Sequence, residues 1–284
     1  MGLAGTGVVE KDYFVTFLLQ KIVSRQPDVV FKGGTSLSKC HKIISRFSED
    51  IDLNVNTETA KLTEGQRKRL KRDIVEIIDE SGFSLENPSQ IRSRRDFNRY
   101  VINYGFKTAT SFLTPHVIVE TSVFIKSFPF EIMDVSSLVQ DFLSANNAWR
   151  EIEKYGLESF KINVQSIGRT FVDKVFAIAD YYLGGQVENH SRHIYDLYKL
   201  YPRIKYNDDF IALIKDVREI RKPHKTCHSA HEGVELPEVL SKIADGDIFR
   251  ADYESITEML LFEHVPYSDA ISVLRRIISD GCFS

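Results

Sequence analysis

The order of apolar and polar residues predicts a mixed α/β structure at the start of the chain. Apolar residues recur at every fourth position in residues 11–24, which predicts a helix. They alternate strictly with polar residues in residues 50–56, which predicts a strand with one buried face. Similar patterns predict strands over 28–32, 98–106 and 116–124, and helices over 63–80 and over 35–44, the latter with Thr35 or Ser36 at its N-cap.

From about residue 135 the pattern becomes helical. It predicts helices over 167–183, 191–201, 208–222, 249–262 and 267–279. We therefore expect an α+β protein with two domains: a mixed sheet with helices over residues 1–150 and an all-helical bundle over residues 151–284.

The charge of the chain is small but unevenly distributed. The net charge of −3 excludes a protein that coats nucleic acid indiscriminately. Residues 1–130 contain 19 Lys and Arg against 15 Asp and Glu, a balance of +4, which leaves 18 against 25, or −7, for the remainder. A local phosphate site in the first part is compatible with these numbers.

Cysteine use indicates a reducing compartment. Cys40, Cys227 and Cys282 are far apart, odd in number and form no Cys-x-x-Cys pair, so neither a disulfide framework nor a zinc ribbon is indicated. No apolar run approaches the roughly 18 residues of a membrane span. We therefore expect a cytoplasmic protein with no membrane association.

Two short segments carry the chemistry that the sequence reveals. Gly33-Gly34 follows the strand 28–32 and precedes a helix, and such a turn lets the backbone approach a phosphate closely. Asp50 and Asp52 project from one face of the next strand, where two carboxylates suit a hard cation such as Mg²⁺. The alternative is a tight turn beside a solvated strand face, but Asp is disfavoured in strands and neighbouring carboxylates repel one another unless a cation is bound.

These segments resemble a known family. The residues Gly-Gly-Thr-Ser-Leu-Ser-Lys (33–39) and Arg-Phe-Ser-Glu-Asp-Ile-Asp-Leu (46–53) look like the signature of the AbiEii/AbiGii-type nucleotidyltransferase toxins. This branch of the polymerase-β-like superfamily includes the MenT toxins. Asp-Lys-Val-Phe-Ala-Ile (173–178) and Tyr-Asp-Leu-Tyr (195–198) resemble two later motifs of the family at the expected order and separation.

The resemblance implies a function and a set of site residues. It implies a Mg²⁺-dependent enzyme, with Mn²⁺ as a substitute, that transfers a nucleotide from a nucleoside triphosphate to an acceptor such as the 3′ end of tRNA. It also implies a polymerase-β-like first domain and a cognate antitoxin. The residues carried over are Asp50, Asp52 and Glu120 as metal ligands; Asp50, Asp52, Lys174 and Asp196 as catalytic residues; and Gly33, Gly34, Thr35, Ser36 and Ser48 as nucleotide-binding residues. Arg221 is a further nucleotide-binding candidate, which follows from the basic residues around it and not from the family motifs.

Spacing alone gives a different interpretation of the later motifs. Lys174 lies beside an apolar helical stripe, and Asp196 is spaced from Arg192 and Lys199 as in a surface ion pair, so both could be solvated helix residues. The resemblance implies that Lys174 stabilises charge on the phosphates. Asp196 would then either orient the nucleophile or support Lys174. We expect the two domains to share catalysis.

Two further clusters have a functional and a structural interpretation. The cluster His224, Cys227, His228 and His231 has metal-like spacing but lies in a predicted loop, which disfavours a metal site. Arginines 92, 94, 95 and 99, with Tyr100 and Tyr104, could follow an RNA strand or decorate an exposed hairpin. Arg221 belongs to a basic stretch that could contact triphosphate or RNA, or be a solvated helix end.

Two other functions remain open at this point. A small-molecule nucleotidyltransferase would modify an antibiotic or metabolite in a compact acceptor pocket. A catalytically silent module would bind nucleotide or RNA and act through a partner. Tyr181 and His193, which stand where the family often has an arginine and an acid, leave room for this last alternative.

Overall fold

The computed structural model describes residues 5–55, 62–93, 95–107, 113–123 and 127–283. Its first part is a seven-stranded mixed sheet with helices, and after residue 167 it is mostly helical, as the α+β prediction requires. The described chain divides into two compact units. The sheet unit comprises the residues up to Lys42 together with Ser48–Gln165, and the helical unit comprises Ile43–Phe47 together with the residues from Ser166 onward.

The sheet has the strand order β3-β4-β5-β2-β1-β7-β6. Strand β2 is central, antiparallel to β1 on one side and parallel to β5 on the other. Strand β4 pairs antiparallel with β5, and β7 joins β1 in parallel. The strands are β1 (Val29–Lys32), β2 (Asp50–Val55), β3 (Ser84–Leu85), β4 (Phe97–Asn103), β5 (His116–Ser122), β6 (Phe130–Val135) and β7 (Phe160–Gln165).

One face of this sheet forms the core of the unit. Alternation along β2 places Ile51 and Leu53 on the buried face, together with Tyr100 of β4 and Val119 of β5. The helices of the unit are α1 (Thr6–Arg25), α2 (Gly33–Lys39), α3 (Glu64–Glu80), α4 (Leu138–Ala145) and α5 (Trp149–Tyr155). Apolar residues of α1 and α3 complete the core, so the polar face of β2 is left for other contacts.

The helical unit contains most of the remaining helices that the pattern predicts. They are α6 (Ile167–Leu183), α7 (Arg192–Leu200), α8 (Asp208–Arg221), α9 (Leu236–Asp245), α10 (Arg250–Asp252), α11 (Glu258–Leu260) and α12 (Tyr267–Ser279). The expected helix 249–262 is interrupted, because a π-helical turn, Tyr253–Thr257, separates α10 from α11. Helix α9 was not predicted.

Several boundaries differ from the sequence prediction. Helix α2 begins at Gly33 and ends at Lys39, with Lys32 at its N-cap, so Thr35 and Ser36 are not capping residues. Strand β6 was not predicted, and strand β7 lies in the part of the chain expected to be helical. The sheet unit extends to Gln165, whereas the predicted boundary is residue 150. The segment 43–47 belongs to the helical unit because its contacts, such as that of Arg46 with Asp196, are with residues of that unit. Contacts over such a distance along the chain leave no periodic signal in the sequence. No helix in the described part of the chain is long and apolar enough to cross a membrane.

Candidate functional site

Four charged residues form a row across neighbouring strands of the sheet unit. Lys32 of β1 pairs in register with Asp52 of β2, Asp52 with Glu120 of β5, and Glu120 with Arg99 of β4. Residues in register project from the same side of a sheet, so the row places two carboxylates between two cations on the face opposite the core. The Arg99 Nε atom lies 3.5 Å from the Glu120 Oε1 atom.

Asp50 and Asp52 share this face, as the alternation predicted. Both are half-buried, whereas Ile51 between them is fully buried on the core face. The structure therefore brings three predicted residues, Asp50, Asp52 and Glu120, to one face on adjacent strands.

The glycine turn lies directly against Asp52. A Cβ atom added to Gly33 would be 2.0 Å from the Asp52 Oδ2 atom, and Gly33 has a φ of +74°, which favours glycine. Any side chain at position 33 would therefore collide with the carboxylate. Gly33 is needed both for the conformation of the turn and for its close approach to Asp52.

The hydroxyl groups of the residues predicted to bind phosphate make hydrogen bonds within the protein. Thr35 and Ser36 are buried. The Thr35 and Ser48 hydroxyls are hydrogen-bonded at 2.9 Å, and Ser36 Oγ donates to the Gly33 carbonyl at 2.9 Å. These bonds fix the glycine turn against the residues that lead into β2. Their predicted contact with the triphosphate stays a prediction.

The carboxylates affect one another electrostatically. Burial, followed by the charges of Asp52 and Asp50, raises the pKa of Glu120 to about 7. Arg99 and Lys32 oppose this rise without cancelling it. A cation bound at this face would relieve the repulsion between the carboxylates. Carboxylate oxygens are also the ligands that a hard divalent ion prefers.

The same face is not organised as a closed metal centre. Within the described ranges, no three Asp, Glu, His or Cys side chains already surround a single point as metal ligands. Three carboxylates from two adjacent strands nevertheless form an all-oxygen donor set, which suits Mg²⁺ or Mn²⁺. The residues fit such an ion if their side chains close on it as it binds.

Glu49 is not part of this donor set. Its carboxylate forms an ion pair with Lys11 of α1, a side chain that is fully buried and that also donates to the Thr114 carbonyl at 2.7 Å. Burial raises the pKa of Glu49 and lowers that of Lys11. This pair holds the start of β2 against α1.

The later motif residues meet inside the helical unit. Asp196 is 0% exposed and Lys174 is 6% exposed, so the solvated interpretation of both residues is wrong. The Lys174 Nζ atom lies 2.7 Å from Asp196 Oδ2. Of the two roles considered for Asp196, this contact favours support of Lys174.

Arg46 is the third member of this cluster. It donates from Nε and Nη2 to the two Asp196 carboxylate oxygens at 2.7 and 2.8 Å. Burial alone would raise the pKa of Asp196, but Arg46 and Lys174 together hold it below its usual range. Burial also lowers the pKa of Lys174. Arg46 belongs to the segment 43–47, which directly precedes Ser48 in the chain.

The two unusual residues of the later motifs contact each other, and one of them, His193, lies beside Lys174. His193 Nδ1 is 3.4 Å from Lys174 Nζ, and burial lowers the pKa of His193 well below its ordinary value. Tyr181 stacks on His190 with ring centroids 3.5 Å apart. The lysine therefore contacts an imidazole at the position where an acid was expected, and Tyr181, where an arginine was expected, packs on that imidazole with ring centroids 5.5 Å apart.

Arg221 is held by acids of its own unit. It is buried, and its Nη2 atom donates to Asp180 Oδ2 at 2.5 Å. The Asp180 carboxylate also accepts from the Ser229 backbone N–H at 2.7 Å. Asp180 of α6 therefore joins Arg221 of α8 to the segment around Ser229. These contacts favour a structural role, and its predicted contact with nucleotide stays a prediction.

The histidine cluster makes internal contacts. Cys227 is buried, and His231 Nε2 lies 3.0 Å from the His224 carbonyl oxygen. In the part of the chain that the structure describes, these four side chains do not form a group that could hold a metal ion. The interpretation as a loop agrees with these observations.

Sequence reasoning missed two residues of these sites. Lys32 was treated only as the end of a strand, although its position before the glycine turn was a usable signal. Arg46 begins the motif 46–53, but the resemblance assigns it no role. Nothing in its spacing identifies Asp196, 150 residues away, as its partner.

Comparison with protein families gives one extensive match. The family model described as the nucleotidyl transferase AbiEii toxin of type IV toxin–antitoxin systems matches residues 17–273. The match covers most of both units and every residue predicted for the site. Among curated proteins, no relative matches the chain.

Proposed function

Since the chain belongs to the AbiEii family of nucleotidyltransferase toxins, we propose that its sheet unit transfers a nucleotide from a nucleoside triphosphate to an RNA hydroxyl, with the 3′ end of tRNA as the acceptor. The observation that carries this proposal is the row Lys32–Asp52–Glu120–Arg99, together with the contact of Gly33 with Asp52. The sheet unit then has the polymerase-β-like architecture that its motifs resemble.

The metal ligands are Asp50, Asp52 and Glu120. Mg²⁺, or Mn²⁺, bound by them would neutralise the triphosphate and favour ionisation of the attacking hydroxyl. The raised pKa of Glu120 supports this assignment, because carboxylates that repel one another gain most from a shared cation.

The protein side chains divide the site into a triphosphate side and an acceptor side. Gly33 allows the triphosphate to approach Asp52, and Lys32, in register with Asp52, offers a cation to it. Thr35 and Ser48 hold the turn in place by their mutual hydrogen bond. Glu120 and Arg99 lie on the other side of Asp52, toward the acceptor.

The transfer step involves one bond formed and one broken. The acceptor oxygen bonds to the α-phosphorus, the bond from that phosphorus to the oxygen bridging to the β-phosphate breaks, and pyrophosphate leaves. Glu120, which lies on the acceptor side of Asp52, accepts the hydroxyl proton. Positioning and charge stabilisation supply most of the catalysis in such a reaction.

Lys174 and Asp196 act as positioning residues in this proposal. Asp196 is fully buried between Lys174 and Arg46, so it fixes the segment 43–47 within the helical unit. Ser48 and Asp50 follow that segment directly. Loss of either residue would then change the start of β2 through the covalent chain.

The proposal is tested by incubating purified protein with total RNA and each α-labelled nucleoside triphosphate. We expect one RNA class to acquire label in a Mg²⁺-dependent reaction, and Asp52→Asn protein to transfer none. Label on a small molecule in place of RNA would favour an antibiotic- or metabolite-modifying enzyme. Triphosphate binding that stabilises the protein without metal, and without transfer, would favour a silent binding module. The toxin–antitoxin family further implies a cognate antitoxin, whose co-expression should suppress the label.

A further inference from the structure

Strand β4 carries an exposed aromatic side chain on the face that bears the carboxylates. Phe97 is 44% exposed, an unusual setting for a phenylalanine in a strand. It shares a face with Arg99, two residues further along β4, and Arg99 lies in register with Glu120. Since adjacent strands are about 4.8 Å apart, the Arg99 Cα atom is about 10 Å from that of Asp52.

Phe97 is the exposed ring of this region, whereas the two tyrosines singled out from the sequence are not accessible. Tyr100 is fully buried on the core face, and Tyr104 is buried among Phe14, Phe83 and Phe106. Neither tyrosine can therefore stack on a base. Alternation along β4 separates Tyr100 from Phe97, because they lie an odd number of residues apart.

Arginines lie close to Phe97 in the sequence, on both sides of it. Arg92, Arg95 and Arg99 are all exposed, and Arg94 lies outside the described residues. Asp96, the one acid of residues 92–99, is paired with Arg67 of α3. An aromatic ring within a basic stretch is the combination that single-stranded nucleic acids require, because bases stack on rings and cations follow the phosphates.

This stretch is held in place by internal hydrogen bonds. Asn98 is buried and exchanges two hydrogen bonds with the Arg92 backbone, at 2.9 and 3.0 Å. Arg95 Nη1 donates to the Gln90 carbonyl at 3.2 Å. A surface ordered before binding loses less entropy when a ligand is bound.

We infer that Phe97, Arg92 and Arg95 form a docking surface for the unpaired end of an RNA acceptor. A base stacks on Phe97, the two arginines contact phosphates, and the strand runs along β4 toward Glu120. This inference rests on the proposed function, because it takes the acceptor hydroxyl to the carboxylate row. Binding and transfer are measured separately below, so that the two proposals can fail separately.

The binding experiment uses the full chain and a labelled, unstructured RNA oligonucleotide, without triphosphate or metal. Anisotropy titration should show that Phe97→Ala binds roughly 5- to 100-fold more weakly than the wild type. Phe97→Leu should be as weak as Phe97→Ala, and Phe97→Tyr should bind as the wild type does. Phe142→Ala, at an exposed ring of α4, is the matched control and should bind normally.

The contribution of Arg92 and Arg95 is measured separately, from the salt dependence of RNA binding. Arg92→Ala and Arg95→Ala should each reduce the dependence of log affinity on log salt concentration by about 0.7, the value for one phosphate contact in a single strand. Arg150→Ala, at an exposed position of α5, should leave it unchanged. A fully paired RNA duplex should bind more weakly than the single strand, because its bases are not available to the ring.

Three results would overturn the docking surface: equal affinity of wild type and Phe97→Ala for the oligonucleotide, no binding by the wild type, or full binding by Phe97→Leu. In the transfer reaction, Phe97→Ala should raise the KM for RNA and leave the KM for triphosphate unchanged. If the ring determines RNA affinity but no nucleotide is transferred to RNA, the docking surface stands and the proposed transfer fails. If transfer proceeds with an unchanged KM for RNA in Phe97→Ala, the surface fails and the transfer stands.

Discussion

The Arg46 guanidinium and the Asp196 carboxylate form a two-fold hydrogen-bonded ion pair inside the helical unit, at 2.7 and 2.8 Å. Both side chains are buried, and Lys174 makes a third charged contact with the same carboxylate. A buried charge that loses its partner is strongly destabilising. Asp196 of the Tyr-Asp-Leu-Tyr motif therefore holds Arg46, which lies in the segment that precedes β2 in the chain.

Removal of Arg46 should destabilise the protein. We expect Arg46→Ala to lower the free energy of unfolding by about 3 to 5 kcal/mol, because it leaves Asp196 with one cation in place of two. Urea unfolding measures this change. Arg250→Ala, at an exposed ion pair of α10, is the control and should have little effect. An equally small effect of Arg46→Ala would show that the pair does not hold the segment.

The Asp196 pair also predicts a dependence of stability on pH. The pKa of Asp196 is lowered in the folded state, so its stabilisation is complete above the unfolded value of about 3.9 and is lost as the pH falls below it. The difference in unfolding free energy between wild type and Asp196→Asn should therefore be constant from pH 5 to 7 and shrink below about pH 4. If Asp196 contacts substrate and has no structural role, Asp196→Asn would abolish transfer at unchanged stability.

Gly33→Ala should disrupt the site more than its backbone conformation alone explains. The new methyl group would overlap Asp52 Oδ2, so we expect nucleotide transfer to fall at least about a hundredfold. Gly105 has a φ of +75° with no atom within 4 Å of a Cβ, so Gly105→Ala has the same backbone strain without the collision. Equal effects of the two substitutions on the transfer rate would contradict the proposed role of the close approach.

Glu120 should make the metal-free protein less stable as the pH rises. Its folded pKa of about 7 exceeds the unfolded value of about 4.3, so between these values the folded state holds the additional proton and stability falls with pH. After allowance for solvent screening, wild type should lose on the order of 1 to 2 kcal/mol relative to Glu120→Gln between pH 5 and 8. Mg²⁺ should reverse the loss in the wild type. A pH profile identical in the two proteins would show that the carboxylates do not repel one another.

Lys32 should act on the triphosphate and not on the acceptor. Lys32→Ala is expected to raise the KM for nucleoside triphosphate several-fold and to leave the KM for RNA unchanged, because the lysine lies in register with Asp52 on the β1 side. Lys161→Ala, at an exposed lysine of β7, is the control and should change neither constant. A raised KM for RNA would place Lys32 on the acceptor side.

The elements that the sequence predicted well are those with a local signal. Periodicity alone identified β2, and the glycine turn and Asp-x-Asp motif indicated the correct face for Asp50 and Asp52. Strand β7 was missed although its sequence, Phe-Lys-Ile-Asn-Val-Gln, alternates apolar and polar residues and so carried a usable signal. Strand β6, Phe-Glu-Ile-Met-Asp-Val, lacks that alternation. A strand without a clear period is not distinguished from a helix by its apolar residues.

The charged row and the buried cluster depend on pairing across the chain. Lys32, Asp52, Glu120 and Arg99 meet only because four strands have a particular register, which no local pattern specifies. Spacing along a helix suggested that Lys174 and Asp196 were solvated, and only their tertiary contacts with Arg46 show that they are buried. Long-range contacts therefore supplied the part of the site that the sequence could not.

The rate of label transfer from an α-labelled triphosphate shows whether Asp50 and Asp52 support nucleotide transfer. Wild type, Asp50→Asn, Asp52→Asn and the control Asp134→Asn, at an exposed position of β6, should be compared at saturating Mg²⁺ after each is shown to be folded. We predict that Asp134→Asn transfers at the wild-type rate and that each site variant transfers at least about a thousandfold more slowly. Transfer at the wild-type rate by folded Asp50→Asn and Asp52→Asn would show that these two carboxylates do not support nucleotide transfer.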